Sequence, residues 1–167
     1  KEVMKGVHLD KRISPILENG QRILPEITSY IEVGCGFGGS CLPKDVDALI
    51  SHGDSVNQPM PLLKSVMLIN KSQPLEIINL LIKHYPDING LHITILGLAF
   101  KPGTDDIRES QAVKIIDILL ENGFKIHISD PKGIKNAEQY YRNKTDVKCY
   151  NDKYETLQNV DALLLLT

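Results

Sequence analysis

The feature that most constrains this chain is a change of hydrophobic period at Asn89-Gly90. Ahead of that turn the apolar residues recur at helical spacing. Leu62, Leu63, Val66, Met67 and Ile69, then Ile77, Ile78, Leu81 and Ile82, give residues 59–85 one broad apolar face. Behind it, His92–Leu98 reads as a strand and 110–122 as a helix closed by Gly123. Phe124–Ser129 alternates strictly before Asp130-Pro131. A helix near 134–143, a strand near 147–150, a short helix near 152–158 and a strand at 162–166 follow. Strands that alternate with helices are joined by right-handed crossovers, which build a parallel sheet. The expected fold class is therefore α/β overall, with an all-α part over residues 1–88 and a doubly wound parallel α/β half-domain over 89–167.

Within the helical part, residues 1–30 show two short helical pieces broken at Ser14-Pro15 and Asn19-Gly20. A short helix is expected from Pro43 to about His52, with Pro43 at its first position and Gly53 just beyond its end. Pro74 should kink or split the long helix. The chain starts inside a helical-looking stretch without a methionine. It closes on Asp161–Thr167, which reads as a buried strand entering a loop, so a piece of a longer polypeptide is expected.

Composition narrows the partners. With 42% apolar and 24% charged residues, a chain of 167 residues can hold a core without metal or disulfide staples. Nineteen basic against 21 acidic residues, a net charge of -2 and no basic block longer than two argue against a nucleic-acid partner. The longest uncharged apolar run, Ala162–Leu166, cannot span a bilayer, and the N-terminus has no signal-peptide core. A soluble, cytoplasmic protein with no membrane partner is the expectation. Cys35, Cys41 and Cys149 are an odd number, which favours reduced thiols, each either packed or reactive.

Gly34-Cys-Gly36-Phe-Gly38-Gly39 contains G-x-G-x-x-G after the moderately strand-like Ile27–Val33, with Asp54 where a ribose acid would lie. Taken alone this suggests dinucleotide binding. Against it, Ser40-Cys41-Leu42-Pro43 separates the last glycine from the helix, and no second strand ending in an acid follows. In a competing reading, Cys41 stands two residues before a helix-starting Pro43 with Lys44 and Asp45 in the first turn. A helix N-terminus and a nearby ammonium group favour a thiolate, hence a nucleophile. Asp45 could then orient or activate water, while Gly36, Gly38 and Gly39 would let a bulky substrate approach the backbone. A plain glycine turn with a small packed cysteine fits the spacing equally well.

The string Gly36-Phe-Gly-Gly-Ser-Cys-Leu-Pro-Lys-Asp45 resembles the active-cysteine signature of the UDP-glucose/GDP-mannose dehydrogenase family. Gly97-Leu-Ala-Phe-Lys-Pro-Gly-Thr-Asp-Asp-Ile-Arg-Glu-Ser110 resembles its second signature, in the same order. The resemblance covers essentially the whole chain. It implies a helical central dimerisation domain followed by a truncated, Rossmann-like nucleotide-sugar domain. The implied activity is oxidation of a sugar C6 alcohol to a carboxylate, with NAD as cofactor and UDP-glucose favoured over GDP-mannose as substrate. A non-catalytic nucleotide-sugar-binding or dimerisation module is the alternative from another class.

By the same resemblance Cys41 is the nucleophile, Asp45 the catalytic aspartate, and Lys44 and Arg108 contacts to NAD. Gly36, Phe37, Gly38 and Gly39 would hold the sugar and phosphates, with Phe100 and Lys101 as further substrate contacts. Leu9-Asp-Lys-Arg-Ile13 resembles the segment whose arginine, here Arg12, reaches the substrate of a neighbouring subunit. The spacer 15–33 is longer than the family pattern leads one to expect. Asp105 and Asp106 read as turn and cap residues. Asp130 resembles a ribose acid, or else is a turn residue before Pro131. Cys35 reads as a small packed side chain. A homodimer through residues 59–85 is expected, and an N-terminal NAD domain with an upstream lysine and asparagine would complete the enzyme.

Overall fold

The structure is a computed structural model that describes residues 2–26, 28 and 34–167. The chain forms two compact units, Lys1–Gly34 and Cys35–Thr167.

The first unit opens with α1 (Glu2–His8). The second helical piece expected below residue 30 is instead a tight loop. Pro15 cannot continue a helix, Ile16 bridges antiparallel to Arg22, and the Leu17 and Ile23 N–H groups donate to Gln21 O and Pro15 O at 2.8 and 2.9 Å. Fully buried Ser14 anchors the loop, its hydroxyl donating to His8 O. Arg22 donates to Ser14 O, Ser14 Oγ and Leu9 O. The strand expected over Ile27–Val33 lies outside the described residues except for Thr28, whose hydroxyl donates to Pro25 O.

The second unit begins with two helices. Helix α2 (Leu42–Ser55) runs longer than expected, and Gly53 is a buried part of its last turn. A Cβ there would strike Gln58 O and the Met60 side chain. The stop comes from Asn57 in the left-handed conformation (φ 55°), with Gln58 N–H on Gly53 O and Asn57 N–H on Asp54 O, a Schellman motif. Helix α3 (Pro61–His84) continues through Pro74 without a break, so the expected split does not occur. Proline removes one hydrogen bond there, but Met67, Asn70, Pro74, Ile78 and Leu81 form a buried face that keeps the helix in place.

The remaining elements are β1 (His92–Leu96), α4 (Gln111–Glu121), β2 (Lys125–Ser129), α5 (Ile134–Tyr140), β3 (Val147–Cys149), a 3-10 turn at Glu155–Leu157 and β4 (Ala162–Leu165). All strand pairs are parallel, in the order β3-β2-β1-β4. Ile93 pairs in register with Ile126 and Ala162, and Ile95 with Ile128 and Leu164. These isoleucines are fully buried and share one core with Ile115, Ile116 and Leu119 of α4, Phe124, and Ile78 and Leu81 of α3. The alternation in β2 does not mark a wet face, because His127 and Ser129 are buried as well. Thr94 Oγ1 donates to Thr156 O at 2.6 Å, and His127 Nδ1 lies 3.2 Å from the same oxygen, so the 3-10 turn covers that side. At the sheet edge β4 is half-buried, not buried as expected. Leu163 and Leu165 are exposed among the described residues.

Candidate functional site

Cys41 immediately precedes α2 and is exposed. Its carbonyl accepts the first helical bond, from Asp45 N–H at 2.9 Å. Its side chain caps nothing, and Sγ rests 3.7 Å from Ser40 Oγ. The sulfur is therefore free to react at the positive end of a helix. Lys44 and Asp45 lie in the first turn, mostly exposed, with Nζ 3.9 Å from Oδ1. At i and i+4, Cys41 and Asp45 share one side of that turn.

The glycine loop is folded against the second signature, about 60 to 70 residues away in sequence. Gly36 (φ 106°) leaves no room for a Cβ beside Asn70 Oδ1 and the Gln111 amide. At Gly38 a Cβ would run into the Glu109 carbonyl, and at Gly39 (φ 88°) into the Phe100 ring. Gly39 N–H donates to Arg108 O at 3.2 Å. The glycines thus serve close packing within the chain, where the sequence suggested room for a substrate. Phe37 is held at both ends of its backbone. Its N–H donates to Asn70 Oδ1 at 2.8 Å, and its carbonyl accepts from Asn70 Nδ2 at 3.0 Å and Gln111 Nε2 at 2.5 Å.

Across this junction the Arg108 backbone is hydrogen-bonded two residues ahead of the cysteine, at Gly39. Its guanidinium is held above the usual arginine range chiefly by the hydrogen-bonded Asp106 carboxylate, with a smaller electrostatic contribution from Cys41. Arg108 Nε and Nη2 donate to Asp106 Oδ1 and Oδ2 at 2.9 and 2.8 Å. Asp106, expected as a turn or cap residue, also orients this arginine. Hydrogen bonds from Arg108 hold its carboxyl below the ordinary range.

Asp130 is 6% exposed, and its carboxylate accepts four backbone N–H bonds, from Leu98, Ala99, Lys132 and Gly133 at 2.7–3.2 Å. Burial pushes its pKa up, but the four donors outweigh it and leave it below the ordinary value. With both oxygens occupied it is a turn residue. No acceptor remains for a ribose hydroxyl.

Asp54 is likewise engaged, with Lys64 Nζ at 2.7 Å, and two helices, α2 and α3, follow the loop. The dinucleotide reading of Gly34–Gly39 therefore loses both its acid and its strand-helix-strand setting.

A cleft of about 360 Å³ opens where β1, β2 and β4 end at Leu96, Ser129 and Leu165, with Lys101, Lys132 and Lys153 beside it. The strand order reverses between β1 and β4, and such a switch point is where open α/β sheets hold ligands. Lys101 Nζ also sits 5.4 Å from the Phe100 ring centre. Arg12 belongs to the first unit. It is paired with Asp10, Nη2 to Oδ2 at 2.5 Å, and this lowers the Asp10 pKa to about 2.

Sequence reasoning missed Asn70 and Gln111. The available signal was a polar residue at position 70 on the otherwise apolar stripe 67, 70, 74, 78 and 81.

Two domain families match the chain. The central domain of the UDP-glucose/GDP-mannose dehydrogenase family matches residues 1–72, and the UDP binding domain of that family matches residues 94–167. The chain belongs to the UDP-glucose/GDP-mannose dehydrogenase family. Among its relatives in this family, UDP-glucose 6-dehydrogenase TuaD of Bacillus subtilis is 34% identical over 166 residues, 99% of this chain and 33% of TuaD. UDP-glucose 6-dehydrogenase AglM of Haloferax volcanii is 33% identical over 166 residues, 99% of this chain and 35% of AglM. The chain thus spans about a third of these relatives' length. Among solved structures, a UDP-glucose dehydrogenase from Pyrobaculum islandicum superposes with a TM-score of 0.83 at 34% identity, covering 99% of this chain and 35% of the other. A ternary complex of GDP-mannose dehydrogenase from Pseudomonas aeruginosa gives 0.70 at 29%, covering 98% and 36%. The interval between the two matched domains, 73–93, holds the second half of α3 and the start of β1.

Proposed function

We propose that this chain is the central and UDP-binding portion of an NAD-dependent dehydrogenase that oxidises the C6 alcohol of UDP-glucose to the carboxylate of UDP-glucuronate. In this reading residues 1–88 form the helical dimerisation part and 89–167 the truncated Rossmann-like part. The observation that carries it is the junction of the two signatures. An exposed, uncapped Cys41 stands at the start of α2, two residues after Gly39, whose N–H donates to Arg108 O of the distant second loop at 3.2 Å.

The chemistry divides into two oxidations and one hydrolysis. Loss of a hydride and a proton turns the alcohol into an aldehyde, and the Cys41 sulfur adds to its carbonyl carbon to give a thiohemiacetal. Loss of a second hydride from carbon and of the hydroxyl proton leaves a thioester on Cys41. Water, oriented by Asp45 one turn along α2, attacks the acyl carbon, the C–S bond breaks and the thiol is restored. NAD+, when bound, would supply the hydride acceptor for each oxidation. Lys44 and Arg108, both about 70% exposed cations, suit an anionic dinucleotide and would hold it. Lys101, at the switch-point cleft, would face the substrate diphosphate, with Phe37, Gly36, Gly38, Gly39 and Phe100 bordering the sugar. Arg12 would act on a neighbouring subunit's substrate. Relatives named as UDP-glucose 6-dehydrogenases, 33–34% identical over nearly the whole chain, favour UDP-glucose over GDP-mannose.

The test is turnover of the full-length protein with NAD and either sugar nucleotide. UDP-glucose should give two NADH per sugar, and Cys41→Ser should cut acid formation by about 10³-fold or more, as loss of a covalent nucleophile does. Acid formation unchanged in Cys41→Ser would overturn the proposal.

A further inference from the structure

We infer that Asn70 and Gln111 are positioning residues that clamp the Phe37 peptide and thereby aim Cys41 at its substrate, an inference that rests on the function proposed above. Asn70, 5% exposed in the middle of α3, meets both faces of one peptide unit pair. It accepts from Phe37 N–H and donates to Phe37 O, as a neighbouring β-strand would. Gln111, 7% exposed at the start of α4, donates to the same carbonyl.

Three residues separate Phe37 from Cys41, and Gly39 is fixed in turn by its bond to Arg108 O. Only the Ser40 peptide then lies between the pinned loop and the first residue of the α2 cap. Rotation of the cysteine relative to Arg108 is set by this clamp.

One feature separates positioning from simple stabilisation. Gln111 Oε1 is buried and has no hydrogen-bond partner among the described residues, and an unsatisfied buried acceptor destabilises. An apolar side chain of the same length would serve stability better. What Gln111 adds is its donor, and the donor goes to Phe37 O.

The experiment compares Gln111→Met and Asn70→Ala with wild type in the full-length protein. The readouts are kcat and KM for UDP-glucose, melting temperature, and the rate of Cys41 alkylation by iodoacetamide. Gln111→Met should melt at or above the wild-type temperature while kcat falls at least tenfold and KM changes less than threefold. Asn70→Ala should alter the Cys41 alkylation rate at least fivefold at a temperature where the protein is folded. Wild-type kcat and alkylation rate in Gln111→Met, with a lowered melting point, would show a structural role only and overturn the inference. Alkylation does not depend on turnover. A wild-type protein inactive on sugar nucleotides would sink the proposed function, while the alkylation result still decides whether the clamp sets the cysteine.

Discussion

Cys35 and Cys149 are half-buried, and burial pushes both thiols above the ordinary range, Cys149 to about 11. Cys41 is exposed at a helix start. Limiting iodoacetamide followed by peptide mapping should therefore find Cys41 labelled first, and preferential labelling of Cys149 would contradict the assignment. A second expectation at this scale concerns Asp130. Oδ2 serves Leu98 and Ala99, and Oδ1 serves Lys132 and Gly133. Asp130→Asn keeps one acceptor oxygen and turns an amide group toward the other pair of N–H donors. It should cost about 1–3 kcal/mol, read as a lower urea midpoint. The sign of the pH effect follows from the lowered folded-state pKa. Asp130 contributes stability above the unfolded carboxyl value, near 4, and loses it as pH falls through its folded value. Wild type should therefore lose stability on acidification below about pH 4, and Asp130→Asn should lose less of it.

Among the elements, the junction of the two signature loops makes the sharpest demand. A methyl group at Gly38 would overlap the Glu109 backbone carbonyl, which cannot swing aside as a side-chain end can. Gly38→Ala should undock the loop, seen as faster amide exchange over residues 36–41, and lower kcat well beyond any effect on the sheet. The elements themselves were largely legible. The switch of period at Asn89-Gly90 located β1, α4 and β2 to within a residue or two, because a core strand and an amphipathic helix both announce themselves by spacing. Local breakers were misleading where tertiary packing overrode them. Pro74 sits inside α3 because its face is buried, and Gly53 belongs to α2 because Gln58 and Met60 leave no room for a side chain. Helical spacing below residue 30 failed for the opposite reason. Ser14 and Arg22 tie a loop whose hydrogen bonds leave no trace in apolar periodicity. For the candidate site, the two signature strings pointed to Cys41 and the loops, but contacts across 33 and 74 positions, from Phe37 to Asn70 and Gln111, are invisible to any local pattern.

At the scale of the whole molecule, α3 leaves Leu62, Leu68, Ile69, Leu75, Leu80 and Ile82 exposed, from 43% to 75%. Apolar surface of that extent on one helix exceeds what a monomer ordinarily shows water. Sedimentation of the full-length protein should give a dimer, with α3 protected from exchange; a micromolar monomer with α3 unprotected would contradict it. The 167-residue chain alone should form no NADH from UDP-glucose. Holding the nicotinamide at near-attack distance is worth about 7–11 kcal/mol of barrier, and two exposed cations, Lys44 and Arg108, cannot supply it.

The clasp between the glycine loop and the second signature also decides what can move. Cys41, α3 and the sheet belong to one compact body that starts at Cys35, with Phe37 and Gly39 riveted to α3, α4 and the Arg108 loop. Any swing of the UDP-binding domain therefore carries Cys41 along as cargo. On the function proposed above, a cysteine that travels with the UDP-binding domain would keep pace with the sugar nucleotide that domain holds, from the first oxidation to the release of the acid.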